Sequence, residues 1–317
     1  MSSVARSLPA TAGLVAATVL LAGCAALGDD SSGSGRRAVA SFYPLAWVTE
    51  RVAGDGWTVE NLTQPGQEPH DLDLSIAQTA SLEQADLVVL EEGFQPAVDA
   101  AAENTDAAVV DAAAVVDLMP ATEDPHDHAD EGEGEHAEED GHDHGDLDPH
   151  FWLDPLLVAD FADAVADELG EVDPEGAQTY AGNAADLRAD LEAVDEEYTS
   201  GLASCERSAT VVSHQAFGYL SRYGLEFEPI AGLSPDAEPT AADLAHLQEL
   251  ITEDGVTTVF SERLVSPKMA DTLADDLGVT SAVLDPIEGL SDETSDEDYL
   301  SLMRENLTAL QQANGCS

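Results

Sequence analysis

A long one-sided apolar stripe, with strand–helix alternation on both sides of it, restricts this chain more than any other feature. Tyr180, Ala184, Leu187, Leu191, Val194, Tyr198 and Leu202 recur at steps of three and four, the spacing that lines one face of an α-helix. Asp173 suits the capping position and Pro174 the first helical position. The pattern predicts one helix within residues 171–204, about 30 residues and roughly 45 Å long, enough to run from one lobe to another. Before it, apolar runs at 38–42, 57–62, 87–91 and 108–111 read as strands. They alternate with helical patterns at 44–53, 75–84 and 95–103, and a further helix is predicted from Pro155 to Leu169. After it, strands at 209–213, 227–230, 257–261 and 279–284 alternate with helices at 215–223, 240–252, 267–277 and 297–312. Alternation of this kind implies parallel sheets covered by helices. The expected fold is α/β, with two lobes, each a mainly parallel sheet flanked by helices. A long interlobe helix joins them, with residues 38–170 as the N-terminal lobe and 205–317 as the C-terminal lobe.

The first 23 residues read as a signal peptide: Arg6, an apolar run from Ala10 to Leu21, and small residues before Cys24. The run is too short and wrongly flanked for a membrane span. Leu21-Ala22-Gly23-Cys24 resembles a bacterial lipobox, with cleavage before Cys24 and lipid on its sulfur; the alternative is an ordinary signal peptide with a chance cysteine. Residues 24–37, rich in Gly, Ser and Asp, read as a flexible tether. The mature chain is expected to be extracytoplasmic and lipid-anchored to the cell membrane. Lipidation of Cys24 leaves Cys205 and Cys316, which in an oxidising compartment are expected to pair. The alternative, two free thiols acting as zinc ligands, lacks the CxxC spacing of metal sites.

Ten Lys and Arg stand against 65 Asp and Glu, a formal net charge of −55. Phosphate contacts need Lys and Arg, so nucleic acid is excluded as a partner. Acid spread along every segment is a property of the whole surface and suits solubility in a salty medium. It also concentrates cations without selecting among them.

Four residues carry the metal argument: His70 in Glu-Pro-His-Asp, His150 in Asp-Pro-His-Phe-Trp-Leu-Asp-Pro, His214 after a strand and Asp285 after a later one. Neutral imidazoles with one carboxylate suit tetrahedral Zn²⁺. Ligands this far apart meet only if the fold joins them, and the ends of parallel strands are where open α/β sheets bind ligands. The metal is therefore expected in the cleft, with two ligands from each lobe. Glu68 is a conceivable substitute for Asp285. Glu262 is read as a group supporting the site or forming a salt bridge, and Trp152 and Phe217 as its wall. A run of acid and histidine at 123–146, with His126, His128, His136, His142 and His144, has no apolar periodicity. It reads as a disordered loop and an auxiliary zinc-binding tract.

These segments resemble the metal-binding lipoproteins of bacterial ABC importers for zinc and manganese, the ZnuA-type or cluster A-I family. The matching stretches are Pro69-His70, Asp148 to Pro155, His214 to Tyr219, Tyr223-Gly224-Leu225 and Leu284-Asp285-Pro286. They span nearly the whole mature chain in the family's order. The resemblance implies a solute-binding protein, expected as a monomer, that captures Zn²⁺ and delivers it to membrane permease and ATPase subunits. Histidine at position 214, where manganese members carry Glu, implies zinc over Mn²⁺, a harder ion that prefers oxygen. Manganese import and a surface zinc buffer or adhesin are the alternatives. An enzyme is not expected: four protein ligands leave no open metal position, and no His-Glu-x-x-His occurs.

Overall fold

A computed structural model describes residues 35–121, 147–235 and 237–317. Cys24, the signal segment and the histidines of the 123–146 tract lie outside the described residues.

The first lobe opens with β1 (Arg36–Ala40), α1 (Tyr43–Ala53), β2 (Trp57–Asn61), α2 (Ile76–Glu83) and β3 (Leu87–Leu90). It continues with α3 (Pro96–Ala102), β4 (Ala108–Asp111), the short α4 (Ala112–Val115) and α5 (Pro155–Val172). Its sheet runs β2-β1-β3-β4, parallel throughout. Then come α6 (Ala177–Gly201), β5 (Ala209–Val212), β6 (Glu226–Pro229), α7 (Ala241–Glu253), β7 (Thr258–Ser261), α8 (Lys268–Leu277), β8 (Thr280–Val283) and α9 (Tyr299–Asn314). The second sheet repeats the plan as β6-β5-β7-β8, again parallel. Interior strands β3, β5 and β7 are buried along their length, while the outer strands β2 and β8 are partly exposed. This is why the interior runs read as unbroken apolar stretches.

The stripe on α6 is buried as its spacing demands, from Tyr180 to Tyr198. The helix is shorter than predicted, 25 residues and so about 37 Å, and it does not begin at Pro174. Asp173 instead ends α5 outside the helical region, φ −130° and ψ 82°, since a residue before proline avoids the α conformation. Its carboxylate accepts the Tyr180 hydroxyl at 2.6 Å and pairs with Arg36 at 2.8 Å. Gly176 lets Tyr180 fold back over the turn, for a Cβ there would strike the phenol ring. The predicted tether also ends earlier than 37. Arg36 and Arg37 already pair with β2, and Arg37 donates its backbone N–H to Asp86 and its guanidinium to Glu60. The helix predicted at 215–223 is a 3-10 turn over Phe217–Tyr223.

One apolar core runs beneath both sheets. It joins Ala40, Phe42, Trp152 and Leu187 to Val212, Phe260, Leu284 and Tyr299. α6 packs on α1 and α5 of the first lobe and on α9 of the second. Cys205 and Cys316 form the expected disulfide, fastening the end of α9 to the strand entry after α6. No helix of the described residues is long and apolar enough to cross a membrane.

Candidate metal centre

The carboxyl ends of both sheets face each other, and loops leaving them carry the site. His70 lies between β2 and α2, held where Gln95 donates to the Pro69 carbonyl at 2.9 Å. His150 sits at the head of a 3-10 turn over Phe151–Leu153. His214 follows β5 by two residues. All three are buried, as is Glu288 beyond β8. Their ligand atoms, with those of Glu288, lie within 4.8 Å of one another.

The carboxylate at the centre is Glu288, and Asp285 stands outside the group. Glu288 Oε1 lies 3.4 Å from His70 Nε2, 3.5 Å from His150 Nε2 and 3.4 Å from His214 Nε2. His150 Nε2 and His214 Nε2 are 3.4 Å apart. A tetrahedral ion with bonds of about 2.0–2.1 Å has donor–donor edges of about 3.3–3.4 Å, and the three edges from Glu288 and the one between His150 and His214 match that shell. Asp285 is engaged elsewhere. Its Oδ1 accepts the Ile287 N–H at 2.8 Å and its Oδ2 pairs with Arg263 Nε at 2.9 Å. Glu68 is also off-centre: it accepts the His70 backbone N–H at 3.0 Å and stands 3.9 Å from Nε2.

Two further carboxylates orient two of the rings. Asp148 Oδ1 meets His150 Nδ1 at 2.7 Å and its backbone N–H at 3.0 Å. Glu262 Oε1 meets His214 Nδ1 at 2.5 Å and also receives the Ser213 hydroxyl. A carboxylate only accepts, so each Nδ1 carries a proton, and each Nε2 can offer its lone pair to a metal once its own proton is displaced. Glu262 thus has the supporting place expected for it. Trp152 forms wall as expected, 5.2 Å from the His150 ring, and Phe94, 4.6 Å from His70, forms the rest. Phe217 instead stacks on Phe227 at 5.9 Å.

The field is that of an anion wrapped in imidazoles. Burial alone would push the Glu288 carboxyl up; the charge of His70 and hydrogen bonds from all three rings overcome it and hold it well below the usual range. Burial pushes His70 down, and Glu288 only partly offsets this. For His214, burial also pushes down, but the Glu262 charge and hydrogen bond, joined by Glu288, win and raise it to about 10. His150 is raised too, Asp148 outweighing burial. Burial lifts Glu68 to about 7, with the Glu288 charge adding to it.

The Glu288 turn is clamped. Trp152 Nε1 donates to the Pro286 carbonyl at 2.7 Å, and the Gly66 N–H donates to the Leu290 carbonyl at 2.7 Å, joining the His70 and Glu288 loops across the cleft. Ile287 is the non-glycine residue of positive φ among the described residues, at 60°. For a β-branched side chain this costs on the order of 1–3 kcal/mol. That strained turn is why sequence reasoning missed Glu288. The strand-end rule favours Asp285, whereas the reversal at Ile287 is invisible in composition.

Two α/β lobes around a buried three-imidazole, one-carboxylate cleft define a metal-binding protein of the solute-receptor type. A family model for the zinc-uptake complex component A, periplasmic, matches residues 38–313. The high-affinity zinc uptake system protein ZnuA of Bacillus subtilis is 33% identical over 288 residues, 89% of this chain and 88% of its own. The zinc-binding lipoprotein AdcA of Streptococcus pneumoniae is 34% identical over 281 residues. That match takes in 86% of this chain but 55% of AdcA, so this chain spans about half the length of that relative. The solved laminin-binding protein of Streptococcus agalactiae, described as bifunctional with adhesin and metal-transporting activity, superposes with a TM-score of 0.76. It has 28% identity, covering 88% of this chain and 99% of its own. The chain belongs to the ZnuA family.

Proposed function

We propose that this protein captures Zn²⁺ outside the cytoplasm and presents it to the permease of an ABC importer, with His70, His150, His214 and Glu288 as the ligands. The observation that carries the reading is the closeness of the four buried donor atoms, with Glu288 at tetrahedral edge length from all three imidazoles. Three imidazoles favour zinc over manganese, which prefers oxygen. Filled by four protein donors, the shell has no position for substrate water, which supports carriage rather than catalysis. Two ligands come from each lobe, so the ion ties the lobes together, and release requires drawing at least one ligand away from the others. Membrane attachment through Cys24, and weak zinc binding by the 123–146 tract, belong to the same reading.

The test is metal competition on the purified mature chain. One tightly bound Zn²⁺, not displaced by excess Mn²⁺ and lost in His214→Ala, is expected. Preference for Mn²⁺, or an unchanged titration in His214→Ala, would refute the assignment.

A further inference from the structure

Asp285 lies three residues before Glu288, and its contacts govern the turn between them. Its Oδ1 accepts the Ile287 N–H at 2.8 Å, and its Oδ2 lies 2.9 Å from Arg263 Nε, an ion pair without hydrogen-bond alignment. The Asn306 side chain accepts the Asp285 N–H at 2.9 Å and donates to its carbonyl at 2.6 Å. Ile287, fully buried, holds φ 60°, which a β-branched residue adopts only under constraint. Arg263 directly follows Glu262, which orients His214.

We propose that Asp285 and Arg263 are positioning residues for the fourth ligand. Asp285 pins Ile287 in the left-handed conformation that turns Glu288 into the imidazole cluster. Arg263 ties that turn to the end of β7, where Glu262 holds His214. One dipeptide, Glu262-Arg263, thereby sets the two ligands of the second lobe as a unit. If Ile287 relaxes to negative φ, the Glu288 backbone rotates and its carboxylate leaves the three Nε2 atoms. The inference rests on reading Glu288 as a ligand.

The experiment measures Zn²⁺ affinity by chelator competition, and the ligand-field spectrum of the Co²⁺ form, on the mature chain and its variants. Glu288→Gln tests the ligand itself and is expected to weaken zinc at least tenfold. Asp285→Ala is expected to weaken it about 10- to 100-fold, as for other groups that orient metal ligands, and to shift the Co²⁺ spectrum in the direction Glu288→Gln does. Asp285→Asn keeps an oxygen acceptor for the Ile287 N–H and is expected to lose no more than about threefold of that range. Ile287→Gly supplies the decisive comparison, because glycine takes φ 60° freely. In that background Asp285→Ala is expected to cost far less than in the native one. Arg263→Gln is expected to add nothing once Asp285 is alanine. Equal cost of Asp285→Ala in the native and Ile287→Gly backgrounds would overturn the proposal, as would no cost in a protein where Glu288→Gln is damaging. Unchanged affinity in Glu288→Gln would overturn the ligand reading and this proposal together.

Discussion

Replacing Glu262 with glutamine alters zinc binding without removing a ligand, through two effects of opposite sign. Glu262 is buried and accepts His214 Nδ1–H at 2.5 Å. Its charge makes Nε2 more basic and fixes the ring. Loss of such support costs about 10- to 100-fold in affinity, about 1.4–2.7 kcal/mol. The same charge stabilises a proton on His214 in the metal-free protein. Burial pushes that imidazole down, but Glu262, joined by Glu288, raises it to about 10. At pH 7 zinc must displace this proton, at a cost of about 4 kcal/mol at 1.36 kcal/mol per pH unit. Glutamine relieves much of that cost. The variant's deficit should therefore vanish or reverse at pH 7 and should grow with pH toward the ~10- to 100-fold loss of an orienting group. There the native protein has less proton to displace. Titrations of the two proteins against a chelator of known zinc affinity, from pH 6.5 to 9, read this directly. Because His70 and His150 titrate in both proteins, their contributions cancel in the ratio. A deficit constant with pH would refute the proton-competition argument, and no deficit at any pH would refute the orienting role of Glu262.

The metal-free protein should melt at lower temperature as pH rises from 6.5 to 9. His214 raised to about 10 adds stability that is complete below the unfolded pKa and lost as pH climbs through the folded one. Glu68, raised to about 7, costs stability as it ionises, so both act in the same direction; a rising melting temperature would contradict this. Cys205→Ser with Cys316→Ser should destabilise by about 4–5 kcal/mol, the chain-entropy value for a loop of this size, since the bridge spans 111 residues. Urea denaturation with and without reductant checks it, and equal midpoints would refute it. Deleting 123–146 should preserve the cleft site while lowering total zinc bound. Pro120 and Leu147 already pair, and the Asp148 N–H bonds the Met119 carbonyl at 2.8 Å, so a short link can close the gap. Unchanged stoichiometry in equilibrium dialysis would remove the tract from zinc binding.

Much of the fold was legible because parallel strands buried on both faces have an unmistakable apolar run. β3 and β5 were placed within a residue at each end, and β4 without error. The helix stripe from Tyr180 to Tyr198 was equally plain. Legibility failed where a local rule met a tertiary partner. Asp173-Pro174 reads as a helix start, yet Arg36 and Tyr180 recruit the aspartate to a turn. Arg36 and Arg37 look like tether until Asp173, Glu60 and Asp86 engage them. At the site, histidines beside proline or at a strand end announce themselves, and all three meet. The carboxylate was misplaced because its direction depends on one backbone angle, at Ile287, held by Asp285 and by the Trp152 hydrogen bond to the Pro286 carbonyl. Phe94 carries no motif and enters only through the closing of the sheet edge over His70.

The core that runs unbroken beneath both sheets makes the lobes one body rather than two jaws. Lobes that share one core leave little binding free energy to be put into closing a hinge. Differences in affinity between variants of such a site then appear mainly as residence time. Unloading then becomes a mechanical problem confined to the rim. There the Gly66–Leu290 backbone bond and the Trp152–Pro286 bond latch the Glu288 loop to the first lobe. A partner that prises that loop alone withdraws a quarter of the ligand shell while leaving the rest of the molecule intact and ready to reload.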